Sequence, residues 1–302
     1  MHVLLVGGSG FIGETLARTL HDRDHEVSVL ARSPDDTDLP HEVRRVRGDV
    51  TAYESIESAF ENVDAVVNLV SLSPLFRPQG GNQRHFDVHL RGTENVVKAA
   101  SEHDVSKYIQ VSALGADTEG ETAYITSKGK AEAVVRESDL SWVILRPSVV
   151  FGDGDEFIGF TKKLAPPYIT PLPGGGSTRF QPIWVGDFVR IIAATLEEDN
   201  HVGEIYEIGG PDVLTLAEVA ELAHAAAGRP VNVVSIPMWL AKLGLSVLEH
   251  VPRAPMGTDQ YRSLQFDNTT TENDVAVFGF ELDNLTSLAE YLGVEADVDH
   301  RP

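Results

Sequence analysis

The chain alternates between short, almost continuously apolar runs and longer segments in which apolar residues recur every three or four positions. The apolar runs are as long as strands, and their lack of polar alternation is typical of parallel strands that are covered on both faces. The segments between them have the period of helices. Strand-like runs recur at His2–Val6, Glu26–Ala31, Val43–Arg47, Ala65–Leu69, Lys107–Ser112 and Ser141–Arg146, and the apolar character is most nearly continuous at 65–70 and 142–145.

This alternation of strands and helices predicts an α/β fold, a doubly wound parallel Rossmann sheet of six or seven strands with a smaller C-terminal α/β lobe. Helices are expected at 84–102 and 122–138. Gly- and Pro-rich stretches begin after Pro147, so we place two domains at 1–150 and 151–302. A strand signal at 204–208 is expected to return the second domain to the main sheet.

The first strand runs into glycines spaced G-x-x-G-x-x-G, and a segment with helical period follows. Gly7 suits a tight turn, Gly10 lets the backbone approach a pyrophosphate, and Gly13 lets the helix lie close to the sheet. The first N–H groups of that helix would face the anion. The pattern predicts a dinucleotide site formed by Gly7, Gly8, Ser9, Gly10, Phe11, Ile12 and Gly13.

The end of the second strand bears on the choice between NAD(H) and NADP(H). A site for NAD(H) would place a carboxylate there, next to the ribose 2′-hydroxyl, and residues 30–33 contain none. Arg32 lies at this point instead, and a planar guanidinium binds a 2′-phosphate well. We therefore expect NADP(H) in preference to NAD(H), the alternative for Arg32 being a solvated side chain.

Tyr124 and Lys128 are four residues apart on a predicted helix, which puts the phenol and the ammonium on one face. A neighbouring Lys⁺ favours phenolate, so we expect it to lower the pKa of Tyr124 and make the hydroxyl an acid or base at a carbonyl or alcohol oxygen. Ser112 ends the fifth predicted strand, where this architecture binds substrate, and its hydroxyl could hold the same oxygen.

With these residues the chain resembles the extended branch of the short-chain dehydrogenases/reductases. Within this branch it is similar to NAD-dependent epimerases and dehydratases. The resemblance implies that Ser112, Tyr124 and Lys128 are catalytic and that Tyr124 and Lys128 also contact the cofactor. It further implies that Asp49 and Val50 line the adenine, Leu69 and Val70 the centre of the cofactor, and Pro147 to Val149 the nicotinamide carboxamide. The matching segments are Gly7–Gly13, Gly48–Val50, Asn68–Val70, Ser112, Tyr124, Lys128 and Leu145–Gly152.

Four further segments resemble the atypical group that contains the accessory Rossmann subunit of respiratory complex I: Ser112–Ala116, Pro182–Asp187, Glu207–Pro211 and Asp259–Asn268. The resemblance implies tight binding of NADP(H), in some members without demonstrated turnover. One residue departs from the extended branch, because His89 stands where an Asn is usual. It could face the cleft or be an ordinary helix residue.

Three functions follow as hypotheses. The first is an NADP(H)-binding oxidoreductase that transfers hydride to or from a carbonyl or alcohol substrate. The second is a non-catalytic NADP(H)-binding accessory module of a respiratory assembly. The apolar segment 238–248 could then contact that assembly, although we expect this segment to cap the substrate cleft. The third is a sugar-nucleotide epimerase or dehydratase, whose diphosphate would need Arg179, Arg190, Arg229, Arg253 or Arg262.

The composition restricts partners and compartment. A net charge of −22, with only 7 Lys against 17 Arg, disfavours nucleic acid and anionic bilayers and suggests adaptation to concentrated salt. The chain has no Cys, which excludes disulfides and thiolates, and its 11 scattered His lead us to expect no metal site. The sequence shows no run of about 18 apolar residues and no leader, so we expect a cytoplasmic protein. We expect a small-molecule substrate. The sequence is compatible with an oligomer and with peripheral contact to a membrane or a respiratory complex.

Overall fold

The structure is a computed structural model that describes residues 1–237, 259, 262 and 265–294. The strands are β1 (His2–Val6), β2 (Glu26–Ala31), β3 (Arg44–Arg47), β4 (Ala65–Asn68), β5 (Lys107–Val111), β6 (Trp142–Pro147), β7 (Val150–Phe151), β8 (Thr170–Pro173), β9 (Arg179–Phe180), β10 (Ile183–Trp184), β11 (Ile205–Ile208), β12 (Leu214–Thr215) and β13 (Val233–Ile236). The helices are α1 (Phe11–His21), α2 (Gln83–His85), α3 (Gly92–Glu102), α4 (Ala123–Arg136), α5 (Phe157–Leu164), α6 (Val185–Glu197), α7 (Leu216–Ala225) and α8 (Leu288–Leu292).

Seven strands form one parallel sheet in the order β11-β6-β5-β4-β1-β2-β3. The predicted fold class is confirmed, and the segment predicted at 204–208 supplies β11 at one edge. The chain builds β1 to β3 towards one edge and β4 to β6 towards the other. The order of strands therefore reverses between β1 and β4, and in open α/β sheets this reversal opens a crevice beyond the carboxyl ends of the strands.

Alternate side chains of β1 pack into two separate hydrophobic cores, because successive side chains of a strand point to opposite faces of the sheet. Val3 and Leu5 pack with α1 and α6 on one face. Leu4 and Val6 pack with α3 and α4 on the other face. All five residues of β1 are buried, which explains the continuously apolar run in the sequence.

The helix predicted at 84–102 is interrupted. A π-helical turn, Phe86–Arg91, separates α2 from α3. The helix predicted at 122–138 is α4, and the Thr122 hydroxyl caps its first turn by accepting a hydrogen bond from Ile125 N at 3.3 Å. Ser112 is the first residue beyond β5 rather than its last.

A third buried cluster lies in the C-terminal half and joins α5 and α7 with Phe151, Phe180 and Leu172. The domain boundary near residue 150 stays a prediction. Residues 238–248, which we predicted as a helix over the cleft, lie outside the described residues, as does Arg253. None of the helices in the described ranges has the length and apolarity needed to cross a membrane.

Candidate functional site

A cleft with a volume of about 220 Å³ opens at the carboxyl ends of β1 to β4, where the strand order reverses. Eight of the predicted cofactor residues line it: Gly7, Ser9, Gly10, Arg32, Asp49, Val50, Leu69 and Val70. The remaining lining residues are Leu30, Ala31, Gly48, Ser71, Leu72, Arg84 and Val88. The described cleft is therefore the part of the site that the adenosine and pyrophosphate were expected to occupy.

The turn at the base of this cleft leaves little room for a Cβ at Gly7 or Gly13. Gly7 has a φ of +83°, and a Cβ there would lie 3.1 Å from Cγ2 of Val70. A Cβ at Gly13 would lie 2.5 Å from the Cα of Gly8, so α1 starts against the turn. Gly8, Phe11, Ile12 and Gly13 do not line the cleft but build the turn and pack around it.

Two guanidinium groups and one carboxylate lie at the outer end of the cleft. Arg32 is exposed and Arg84, which was not predicted, is half-buried. The Asp49 carboxylate accepts hydrogen bonds from Thr51 N at 2.9 Å and Thr51 Oγ1 at 2.8 Å. Burial raises the pKa of Asp49, but these bonds and the charges of Arg84 and Arg32 lower it further than burial raises it. This end of the cleft thus keeps a carboxylate ionised between two cations.

Lys128 reaches from α4 to the ends of two strands. Its side chain is buried, and Nζ donates to Val111 O at 3.2 Å and Val70 O at 3.5 Å. Burial lowers the pKa of Lys128 to about 8, against the opposing charge of Glu132. Val70 lines the cleft and Val111 precedes Ser112, so the ammonium lies between the cleft and that serine.

Tyr124 lies one turn before Lys128 on α4, and its phenol is hydrogen-bonded to the Ser71 side chain. Burial raises the pKa of Tyr124, and the hydrogen bond with Ser71 partly opposes this. The expectation that Lys128 lowers this pKa is wrong for the structure as it stands. The cause is the burial of the phenol, which disfavours the charged phenolate.

Ser112 projects a buried hydroxyl beyond the end of β5. The residue is 4% exposed, and its Oγ has no hydrogen-bond partner among the residues that the structure describes. Its backbone N–H donates to Leu145 O at 2.7 Å, which extends the β5–β6 pairing. Since nearly all buried polar atoms are paired, an orphaned hydroxyl at this place fits a site that binds an external oxygen atom.

Pro147 ends β6 and Val149 follows it, and neither residue lines the described cleft. The Pro147 carbonyl accepts from Leu114 N at 3.1 Å. Both backbone groups of Val149 are engaged, since its N–H donates to Asn268 Oδ1 at 3.0 Å and its carbonyl accepts from Ile183 N at 3.0 Å. A ligand would therefore meet the side chain of Val149 and not its amide.

His89 is buried in the π-helical turn, does not line the described cleft, and has both ring nitrogens bonded. Nε2 accepts from Leu72 N at 2.8 Å, and Nδ1 lies 2.8 Å from Ser127 Oγ, which donates to Tyr124 O at 2.9 Å. Burial, with Lys128 and His85 nearby, lowers the pKa of His89 well below its usual value. A neutral His89 with its proton on Nδ1 therefore ties the loop after β4 to α4.

His85 was not predicted either, although its spacing of four from His89 is visible in the sequence. The two rings and that of Tyr124 pack together, with His85 and Tyr124 centroids 5.8 Å apart. Burial lowers the pKa of His85, which leaves the ring neutral near pH 7. Over the ranges that the structure covers, no three His, Asp or Glu side chains are grouped to hold a metal ion.

The geometry fits a nicotinamide dinucleotide. The glycine turn leaves space for phosphate, two cations lie where the adenosine end is expected, and the unpaired Ser112 hydroxyl lies beyond Lys128 at the other end. A dinucleotide laid across the carboxyl ends of the strands from β2 to β5 would span all three features.

Comparisons with known proteins agree with this fit. A NAD(P)H-binding family model matches residues 7–163. Over 250 residues the chain is 31% identical to NADH dehydrogenase (ubiquinone) 1 alpha subcomplex subunit 9, mitochondrial, of Arabidopsis thaliana, covering 78% of this chain and 60% of that protein. It is 26% identical to UDP-glucose 4-epimerase of Vibrio cholerae over 270 residues, 80% of each chain.

The structure superposes on Thermus thermophilus UDP-glucose 4-epimerase in complex with NAD with a TM-score of 0.74, at 21% identity, covering 97% of this chain and 98% of that one. At this identity the match shows the shared fold. The chain spans between 50% and 61% of the length of the NADH dehydrogenase subunits that it matches. The relatives and the shared fold confirm the resemblance that the motifs indicated. The chain belongs to the NAD(P)H-binding family.

Proposed function

We propose that the protein is an NADP(H)-dependent oxidoreductase that transfers hydride between the cofactor and a carbonyl or alcohol substrate. One observation carries the proposal: the side chains of Lys128, Tyr124 and Ser112 gather at the carboxyl ends of β4 and β5, next to the cleft. The Lys128 ammonium bonds the last carbonyl of β5, and the following residue presents the unpaired Ser112 hydroxyl.

These side chains have separate tasks in a carbonyl reduction. The Ser112 hydroxyl donates a hydrogen bond to the substrate oxygen and fixes its place. Tyr124 gives its phenolic proton to that oxygen as negative charge develops, and Lys128⁺ stabilises the phenolate that remains. A bound nicotinamide supplies or accepts the hydride. In alcohol oxidation Tyr124 takes the proton back, and Ser71, already bonded to the phenol, is displaced by substrate.

The preference for NADP(H) is supported by the cations at the outer end of the cleft. Arg32 follows β2, where the ribose 2′ position is expected, and Arg84 lines the same cleft. Both charges act on Asp49, so each guanidinium group lies within electrostatic range of that carboxylate. A 2′-phosphate would meet two cations, whereas the 2′-hydroxyl of NAD(H) would find no carboxylate following β2.

Titration of the purified protein with NADPH and NADH, followed by nicotinamide fluorescence, tests the cofactor. We expect tighter binding of NADPH. Arg32→Ala should weaken NADPH by about tenfold or more and NADH much less, because it removes a charge-assisted contact to the phosphate. Arg136→Ala, an exposed arginine at the end of α4, is the matched control. Equal losses for both cofactors would contradict the role given to Arg32.

Turnover is tested with Tyr124→Phe on a panel of aldehydes and ketones, with NADPH oxidation as the readout. Removing the proton donor should lower the rate by about 100-fold or more, while NADPH affinity stays within about twofold. Tyr168→Phe, at a tyrosine that is 60% exposed, controls for the substitution itself. A Tyr124→Phe protein that reduces the same carbonyls at the rate of the unsubstituted chain would refute the mechanism.

A second function, an NADP(H)-binding accessory module, is supported by the similarity to the NADH dehydrogenase subunit of Arabidopsis thaliana. It predicts that no carbonyl is turned over and that Tyr124→Phe changes nothing, while NADPH still stabilises the fold. The similarity to UDP-glucose 4-epimerase supports a sugar-nucleotide enzyme. Of the arginines that a diphosphate would need, Arg179 is paired with Asp267 at 2.6 Å and Arg190 with Asp187 at 3.3 Å. We therefore rank this third.

A further inference from the structure

The segment 265–274 returns from the C-terminal half to the main sheet and is held there by side chains rather than by a long strand. Asp267 accepts from Arg179 N at 2.8 Å and pairs with the Arg179 guanidinium. Asn273 bonds both backbone groups of Gly209, at 3.1 and 2.9 Å. These contacts lie beyond the end of β11 and along β9. Asn268, which lies between Asp267 and Asn273, contacts Ser148 and Val149 instead.

Asn268 concentrates its hydrogen bonds on the turn after β6. Its Oδ1 accepts from Val149 N at 3.0 Å and lies 2.7 Å from Ser148 Oγ. Its backbone carbonyl accepts from Gln181 N at 3.1 Å and also lies 2.9 Å from Ser148 Oγ. Its N–H donates to Arg179 O at 2.8 Å. One side-chain oxygen thus sets the direction of the 148–149 peptide.

That peptide adjoins the place where chemistry is proposed. Pro147 O accepts from Leu114 N, and Leu145 O accepts from Ser112 N, so the turn after β6 runs alongside the residues that follow β5. The other end of the site, with Arg32 and Asp49, is at the ends of β2 and β3. In the sheet order, β1, β4 and β5 lie between β2 and β6. A dinucleotide anchored at Arg32 and laid across these strands would bring its nicotinamide end towards this turn.

We propose that Asn268 is a positioning residue for the nicotinamide end of the dinucleotide. Its carboxamide oxygen holds Ser148 and Val149 so that the Val149 side chain, and not its N–H, faces the ring beside Ser112. The inference rests on the proposed function. Asn268 closes the family-like segment Asp259–Asn268, but the sequence does not link it to Val149, which lies 119 residues earlier.

The role is tested by comparing two ligands on the intact protein. NADPH reaches both ends of the site, whereas 2′-phospho-ADP-ribose carries the adenosine end alone. Asn268→Ala should weaken NADPH binding by about tenfold, because the partly buried Val149 N–H loses its acceptor and the turn loses its set position. It should leave the affinity for 2′-phospho-ADP-ribose within about twofold. Asn268→Asp keeps the accepting oxygen and should restore NADPH binding.

Asn273→Ala is the matched control, since it removes hydrogen bonds of the same segment at Gly209 and away from Val149. It should not change the ratio of the two affinities. Should Asn268→Ala fail to fold, Ser148→Ala removes the hydroxyl that both oxygens of Asn268 approach and should lower NADPH affinity selectively. Equal losses for both ligands, or no loss, would overturn the positioning role. A protein that binds neither ligand before substitution would overturn the proposed function and this inference with it.

Discussion

Lys128 places an ammonium group where the fold disfavours charge. Its pKa falls from 10.5 in a solvated chain to about 8 because of burial. Above pH 10.5 the amine is neutral in both the folded and the unfolded state, and it imposes no electrostatic cost on folding. As the pH falls from 10.5 to 8 the unfolded chain takes up the proton first, so the free energy of unfolding decreases; below about 8 the cost is constant.

Lys128→Met should therefore stabilise the protein while abolishing activity. At pH 7 we expect the free energy of unfolding to rise by about 3 kcal/mol, and at pH 11 the difference should be close to zero. Denaturant unfolding at both pH values measures it. Lys130→Met, at the exposed lysine of the same helix, should show no such pH dependence. A Lys128→Met protein that is less stable at pH 7 would mean that the hydrogen bonds to Val70 and Val111 outweigh the burial of charge.

Residues of the site were predictable from the sequence where their signal is local. The glycine turn and the Tyr124–Lys128 pair depend on spacings of three and four, which the backbone of a turn or helix fixes directly. Arg84 and the role of Asn268 were not predicted, because each acts on a residue distant in sequence, Arg84 on Asp49 and Asn268 on Val149. The direction of the Tyr124 pKa was wrong for the same kind of reason, since burial depends on packing and not on the neighbouring lysine alone.

At the scale of elements, α4 determines the geometry of the proposed catalytic group, because it carries both Tyr124 and Lys128. Glu132 fastens this helix to β6: its carboxylate is 1% exposed and accepts from Arg146 Nε at 2.9 Å and Nη2 at 2.6 Å. This pair of hydrogen bonds between a carboxylate and a guanidinium fixes the rotation of α4 against the sheet. It thereby fixes where the phenol and the ammonium lie relative to the ends of β4 and β5.

Glu132→Ala should lower the free energy of unfolding by about 3 kcal/mol, because it leaves the largely buried Arg146 without its main partner. Chemical denaturation measures the loss, and Glu137→Ala, at the exposed end of the same helix, should change it by less than about 0.5 kcal/mol. The double variant Glu132→Leu/Arg146→Met removes both charges and should recover most of the stability. Losses that merely add in the double variant would show that the pair itself is not the cause.

The strands of the main sheet were predicted to within one residue at each end. Burial on both faces gives strands such as β1 and β4 an almost continuous apolar run, whereas the edge strands β3 and β11 contain charged residues. The π-helical turn Phe86–Arg91 was not predicted. One extra residue in a helical turn hardly changes the spacing of apolar positions in the sequence. It does rotate the side chains that precede the turn relative to those of α3. That rotation sets the directions of His85 and His89 towards Tyr124, so the interruption has consequences for the site that the period alone does not reveal.

At the scale of the whole molecule, the net charge of −22 governs how stability responds to salt. Acidic residues outnumber basic ones by 46 to 24, so repulsion between carboxylates exceeds the attraction from ion pairs such as Arg23–Glu197. Most of these charges are exposed and interact through solvent. The Debye length falls from about 10 Å at 0.1 M salt to about 3 Å at 1 M, which removes the repulsion between all but adjacent groups.

We predict that the thermal unfolding midpoint rises by several degrees between 0.1 and 1 M KCl and levels off above that, because screening is then nearly complete. Potassium sulfate separates screening from the exclusion of salt from the protein surface. If screening dominates, the chloride and sulfate curves coincide when plotted against ionic strength; if exclusion dominates, sulfate stabilises more and without levelling off. A midpoint that stays constant or falls with KCl would show that the attractive pairs, and not the excess of carboxylates, control the stability of this fold.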